Sequence, residues 1–140
     1  MIGRHKFRRI RGGVASFAEV WVDVSPAPGL PQVEDGLPAA PDTDAGEVNA
    51  RIDPTWVNAA LAGVRTALAA RAATNGGTAY RAVLVRVVGT AADTLPDAVS
   101  CAAGLATWEA LGSPEPRPTP VHDGTAWTLD YPVAVPAGER

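Results

Sequence analysis

The chain has 140 residues (14.4 kDa), a length that suits one domain with a single substantial core. Hydrophobic residues make up 46% and charged residues 19%, ordinary globular values, and the net charge of −3 argues against a whole-molecule nucleic-acid binder. The average hides a split: Arg4, Lys6, Arg8, Arg9 and Arg11 put five positive charges in the first eleven residues, leaving seven basic against 15 acidic residues beyond them.

That charged start lacks the apolar core of a secretory signal, and no run is long enough to span a bilayer, so no membrane partner is expected. A lone cysteine, Cys101, excludes an intramolecular disulfide and lies in the apolar stretch Val99-Ser-Cys-Ala-Ala, the setting of a buried, inert thiol. Cytoplasm is the expected location.

Residues 2–10 read either as an edge strand carrying its charges at an exposed margin or as a frayed basic arm. Gly12-Gly13 then marks a tight turn. After it a strict alternation sets Ala18, Val20, Val22 and Val24 on one face and Phe17, Glu19, Trp21 and Asp23 on the other, the pattern of a half-buried strand. A hairpin through the glycines would pair the two segments.

Residues 26–47 hold four prolines after Pro26 and five acids with no periodicity, so a loop or mobile insert is expected there. The acids lack the spacing of a calcium loop. Val48–Ile52 suits a short strand. Asp53-Pro54 predicts a helix start, Asp as N-cap and Pro in the first turn. Trp56, Val57, Ala60, Leu61, Val64, Ala67 and Leu68 form its apolar stripe, and Asn75-Gly76-Gly77 closes it.

Tyr80–Val88 is the most β-branched run and reads as a central strand, with Arg81 and Arg86 expected on opposite faces. A second helix begins at Pro96-Asp97, where Asp93 and Asp97 would favour its N-terminus; Val99, Ala102, Ala103, Ala106 and Ala110 point inward, and Gly112 ends it. Asp123-Gly124 marks a C-terminal hairpin, 118–136, with strands over 119–122 and 125–135. The fold class is therefore α+β: a two-layer sandwich with a mixed four- or five-stranded sheet and two helices on one face.

The chemistry of catalysis is not visible. There is no phosphate-binding glycine loop, no nucleophile motif, and no metal-ligand spacing around His5 or His122; His122 reads as a solvated turn residue. No catalytic residue, metal or cofactor is expected. The basic arm and the Gly12-Gly13 turn can instead contact phosphates through arginine forks and exposed amides, while Phe17 and Trp21 on an exposed strand face suit a protein interface.

The order of these segments is similar to a known domain. Gly12-Gly-Val-Ala-Ser-Phe-Ala-Glu-Val-Trp-Val-Asp-Val-Ser-Pro-Ala-Pro-Gly29 resembles the opening of domain IV of translation elongation factor G, where Gly-Gly-x-Gly-Gln-(Tyr/Phe)-(Gly/Ala)-x-Val leads into a strand ending in Pro-x-x-Pro-Gly. Ile52-Asp-Pro-Thr-Trp-Val-Asn-Ala-Ala-Leu-Ala-Gly-Val-Arg-Thr-Ala-Leu68 echoes the helix of that domain, and the strand 80–88 and helix 97–111 follow in the same order. The match covers roughly residues 4–112.

The resemblance implies a ribosomal protein S5 domain 2-like fold with a left-handed β-α-β crossover. It also implies a tip that faces the ribosomal decoding site, built here from Gly12–Ser16 and Gly89–Thr94. Ala15 and Ser16 replace the family's Gly and Gln, and Thr90–Thr94 lacks its His. The sequence carries no counterpart of the GTPase domain. The implied function is a non-enzymatic, stand-alone relative that binds ribosome or structured RNA through Arg4, Lys6, Arg8, Arg9, Arg11, Gly12, Gly13 and Ser16. The alternative is a repurposed scaffold that binds protein or itself, with no RNA role. A third class is an enzyme on the same fold, against which the lack of a phosphate loop and of clustered His and Glu argues.

Overall fold

The computed structural model describes residues 1–132. Strand β1 (Ile2–Arg11) runs into β2 (Val14–Pro26) through Gly12 and Gly13, whose φ values of 57° and 79° are those of a two-residue primed turn. Ten register pairs join the strands, from Ile2 opposite Asp23 to Arg11 opposite Val14. The N-terminal segment is thus an edge strand rather than a frayed arm.

Strand β4 (Tyr80–Val88) pairs antiparallel with β2, and β3 (Gln32–Asp35) pairs parallel with β4, giving the order β1-β2-β4-β3. The stretch expected to be a loop or mobile insert thus contributes the far edge of the sheet. Val33 packs against the core, and Arg81 forks onto Glu34 at 2.6 and 3.1 Å, which holds that exposed carboxyl below its ordinary pKa range. Val48–Ile52 forms no strand: Val48 N–H donates to the Val87 carbonyl, and Asn49 folds back to accept from the amides of Arg51 and Ile52 at 3.1 Å.

Helix α1 (Pro54–Ala72) starts as its sequence dictates, with the Asp53 carboxylate accepting from the Trp56 amide at 3.0 Å. It ends before Asn75-Gly76-Gly77, which form the turn into β4. Its stripe is buried at Val57, Ala60, Val64, Ala67 and Leu68, while Trp56 and Leu61 are partly covered. Helix α2 (Pro96–Ala110) packs against both α1 and the β1–β2 half of the sheet.

Small residues set these spacings. A Cβ at Gly63 would run into the Ser100 carbonyl, and one at Gly3 would run into the Ala106 carbonyl and come within 2.6 Å of Ala110 N. The two helices can therefore approach closely, and β1 can lie directly on α2.

Strands β5 (Thr119–His122) and β6 (Trp127–Asp130) form a separate hairpin packed on α2, with Leu129 and Tyr131 against Gly104. The expected second strand, 125–135, is shorter than its pattern suggested, and residues 133–135 lie outside the described residues. His122 is half-buried rather than solvated; its ring meets Trp127 edge-on at 5.1 Å and Nδ1 accepts from the Gly124 amide. The architecture is α+β, a two-layer sandwich of a mixed four-stranded sheet and two helices, with the small hairpin against the helical layer. No helix among the described residues is long and apolar enough to cross a membrane.

Candidate functional site

Phe7 and Ala18 are the last fully buried pair of the β1–β2 ladder. Beyond them, Arg8 to Phe17 extend past the core as a two-stranded ribbon, with Ile10 and Val14 exposed near its tip at 76% and 65%. Strand periodicity divides the basic residues between two faces. Arg4, Lys6 and Arg8 lie on the outer, helix-free face with Trp21, Glu19 and Phe17, their partners in register. Arg9 and Arg11 lie on the helix side, across from Ser16 and Val14. The eight residues singled out in the sequence are therefore not one patch: Arg4 and Lys6 lie over the core on the outer face, and the other six are divided between the two faces of the ribbon and its Gly12-Gly13 turn.

On the outer face the cations stack on rings. The Arg4 guanidinium lies 5.2 Å from the centre of the Trp21 ring, and Arg8 lies 5.6 Å from Phe17. Arg86 adds a third guanidinium, also 5.2 Å from Trp21. Its place there corrects the expectation that Arg81 and Arg86 lie on opposite faces. Trp21 pairs with Arg86 but Val22 pairs with Leu84, so Val85 is an extra residue in β4. This bulge slips the alternation by one, and both arginines emerge on the outer face. Glu19 accepts from the indole N–H of Trp21 at 2.7 Å and fixes the ring, with Lys6 Nζ 4.0 Å away on its other oxygen. Glu47 pairs with Arg86 at 3.2 Å.

On the helix side, Arg9 lies 5.1 Å over the Phe7 ring and donates to the Arg8 carbonyl at 3.0 Å. Arg4, Arg8, Arg9 and Arg11 make no ion pair among the described residues. All five basic positions are exposed, and at four of them no ion pair forms among the described residues.

The loop before α2 is joined to the base of this ribbon. Phe17 N–H donates to the Asp93 carbonyl at 3.0 Å, and the Thr94 hydroxyl donates to the Phe17 carbonyl at 2.6 Å. Ser16 is half-buried at this junction. A cleft of about 400 Å³ runs between the two segments, lined by Arg9, Ile10, Ser16, Phe17, Thr90 and Asp93. The Gly12–Ser16 and Gly89–Thr94 segments, far apart in sequence, therefore sit side by side.

A second cleft lies between the helices and the β5–β6 hairpin, lined by Asp97, Cys101, Trp127 and Tyr131. It is not arranged for nucleophilic chemistry. Burial pushes the Cys101 thiol up to about 12, with the Asp97 charge adding to the effect, and burial also raises the Tyr131 hydroxyl. Asp97 accepts from the Trp127 amide at 2.8 Å and so docks the hairpin, while its place in the first turn of α2 sets its charge at the helix N-terminus as expected; the N-cap, Leu95, makes no side-chain cap bond. No group of three His, Cys, Asp or Glu side chains among the described residues is placed to hold a metal ion.

The sequence singles out the basic residues, the turn and both loops as candidates but not Arg86, whose face is set by the bulge at Val85, and no local pattern marks that bulge.

No family model and no curated protein matches the chain. Among solved structures it is similar to the crystal structure of ttk003000868 from Thermus thermophilus, with a TM-score of 0.60 and 19% identity over 80% of this chain. That likeness is one of fold, and this chain spans only 16% of the length of that protein.

Proposed function

We propose that the chain is a non-enzymatic, cytoplasmic RNA-binding module, a relative of domain IV of elongation factor G, that engages ribosome or structured RNA through the β1–β2 ribbon. One observation carries this reading: the ribbon projects past the core with Arg8, Arg9 and Arg11 free of ion-pair partners among the described residues, and Arg4, likewise unpaired, continues the cationic line down the outer face of β1. In a chain of net charge −3, concentrating unpaired cations on one projecting element favours a polyanion at that element. The exposed amides of the Gly12-Gly13 turn add donors for phosphate oxygens. The 89–94 loop, hydrogen-bonded at the base of the ribbon, gives the tip a fixed second wall.

Co-sedimentation with ribosomes and with free structured RNA, at low and moderate salt, tests this. Binding should weaken steeply with salt as phosphate contacts release counterions. Neutralising Arg8, Arg9 and Arg11 to Gln should flatten the logarithmic salt slope by about 2 to 3. No co-sedimentation at low salt sinks the reading.

A second reading, a protein-binding or self-associating scaffold, is favoured by the position of β1. It forms an edge of the sheet, and no strand among the described residues pairs along its outer side. Such an edge can accept another strand by backbone hydrogen bonds. A mass near a multiple of 14.4 kDa with little salt dependence would select it.

A further inference from the structure

The outer face of the β1–β2 half carries two ring-and-guanidinium stacks in series: Arg8 on Phe17, and Arg4 and Arg86 about Trp21. Phe17 and Trp21 occupy alternate same-face positions of β2 on either side of Glu19, so the stacks are roughly 13 Å apart along the strand. We propose that this face is a stacking platform for unpaired RNA, on which splayed bases lie against the Phe17–Arg8 and Trp21–Arg4 stacks while the phosphates follow Arg4, Lys6 and Arg8 along β1. The proposal rests on the RNA-binding reading above and specifies the class of RNA: single-stranded rather than duplex.

Three observations and one general principle support it. The helices pack on the opposite face of the sheet, and Phe17 and Trp21 are only half-buried, so both stacks are open to solvent. Aromatic rings and arginine planes are the surfaces on which unpaired bases stack, whereas duplex RNA keeps its bases out of reach. The indole is held in place, because Glu19 accepts from its N–H and the Arg86 guanidinium, 5.2 Å from its centre, is paired with Glu47. Arg4 and Arg8, on the rim, have no ion-pair partner among the described residues, so each can lie against a base and still donate to a phosphate. The occupant follows from this charge layout: cations line the β1 rim, and rings line the strip beside it.

The two acids of the strip do not oppose this arrangement. Glu19 is engaged by Trp21 and Lys6, and Asp23 lies beyond Trp21 at the end farthest from the ribbon tip.

The test is fluorescence anisotropy of the full chain with a dye-labelled oligouridylate and with an RNA duplex of matched length, in the same salt. The oligouridylate should bind more tightly. Phe17→Leu and Trp21→Leu should each weaken it roughly 5- to 150-fold, the loss expected for one stacked base, with the salt slope unchanged because no phosphate contact is removed. Trp21→Phe keeps a ring and should bind within a few-fold of the native chain, which separates stacking from a folding defect. Duplex binding equal to or tighter than that of the oligouridylate, with the ring variants unaffected, overturns the platform and leaves RNA binding by the ribbon standing. No binding of either RNA at low salt overturns the platform, and the RNA-binding reading falls with it if ribosomes and structured RNA also fail to co-sediment.

Discussion

Thr94 donates its hydroxyl to the Phe17 carbonyl at 2.6 Å and accepts from the Thr90 amide at 2.8 Å, bonding positions 77 residues apart in sequence. Thr94 is 5% exposed, so this oxygen works in a nearly dry setting. Beyond Val88 the β2 strand has no further partner in β4, and the loop takes over: Phe17 bonds Asp93 and Thr94 through its amide and its carbonyl. One hydroxyl thereby ties the loop before α2 to the base of the basic ribbon.

Replacing Thr94 with Val keeps the shape and removes the hydroxyl, leaving the Phe17 carbonyl and the Thr90 amide without that partner. The expected loss is about 1–3 kcal/mol in urea unfolding. Amide exchange at Phe17 and Thr90 should quicken, and Thr94→Ser should restore most of the stability. An unchanged unfolding midpoint for Thr94→Val would remove this bond from the account of the tip.

Gly3 lies under α2 with backbone, not flexible side chain, where a Cβ would go. Gly3→Ala must push β1 away from Ala106 and Ala110, at a cost of about 1–3 kcal/mol or more. A shift in thermal unfolding reads this directly. A neutral substitution would mean that β1 and α2 are farther apart than described.

Asp97 holds the β5–β6 hairpin through the Trp127 amide. Asp97→Ala should cost about 1.5–3 kcal/mol, the range for a bond to a charged acceptor. It should also free Trp127 from its edge-on contact with Phe7, seen as altered near-ultraviolet circular dichroism. Asp97→Asn retains an acceptor and should fall in between.

Cys101 is 2% exposed, and its thiol is pushed up to about 12 from an ordinary value near 9. Between those values the unfolded chain ionises while the folded chain keeps its proton. The folded state therefore binds more protons, and stability falls as pH rises. The stabilisation is complete below about pH 9 and is lost from there towards about pH 12. Urea unfolding across that range should show the decline, and Cys101→Ala should remove its share of the slope. A disulfide reagent at neutral pH should leave the folded thiol unmodified; rapid labelling would contradict its burial.

Much of this molecule is written in local sequence. The alternation from Ala18 to Val24 specifies β2, and Gly12-Gly13 supplies the positive φ that its turn with β1 requires. Asp53-Pro54 sets the start of α1, because the carboxylate that caps it is three residues from the amide it accepts. The same alternation, applied to residues 4–11, already divides Arg8 from Arg9, so the two-faced ribbon is a property of the sequence.

Other features depended on partners distant in the chain. Gln32–Asp35 has one apolar residue, Val33, and becomes a strand because β4 presents an open edge to it; no local period marks such a segment. Helix α2 is buried at Gly104 and Trp108 as well as along its Ala-rich stripe, because Leu129 and Tyr131 cover a side that its own pattern left undefined. The bulge at Val85 has the same character: in a run of apolar residues the strand phase is set by pairing with β2, and that pairing alone put Arg86 beside Trp21. Periodicity, caps and turns act within a few residues and can be read directly. Strand partnership, bulge phase and the covering of a helix are long-range free-energy choices, made only when the core closes.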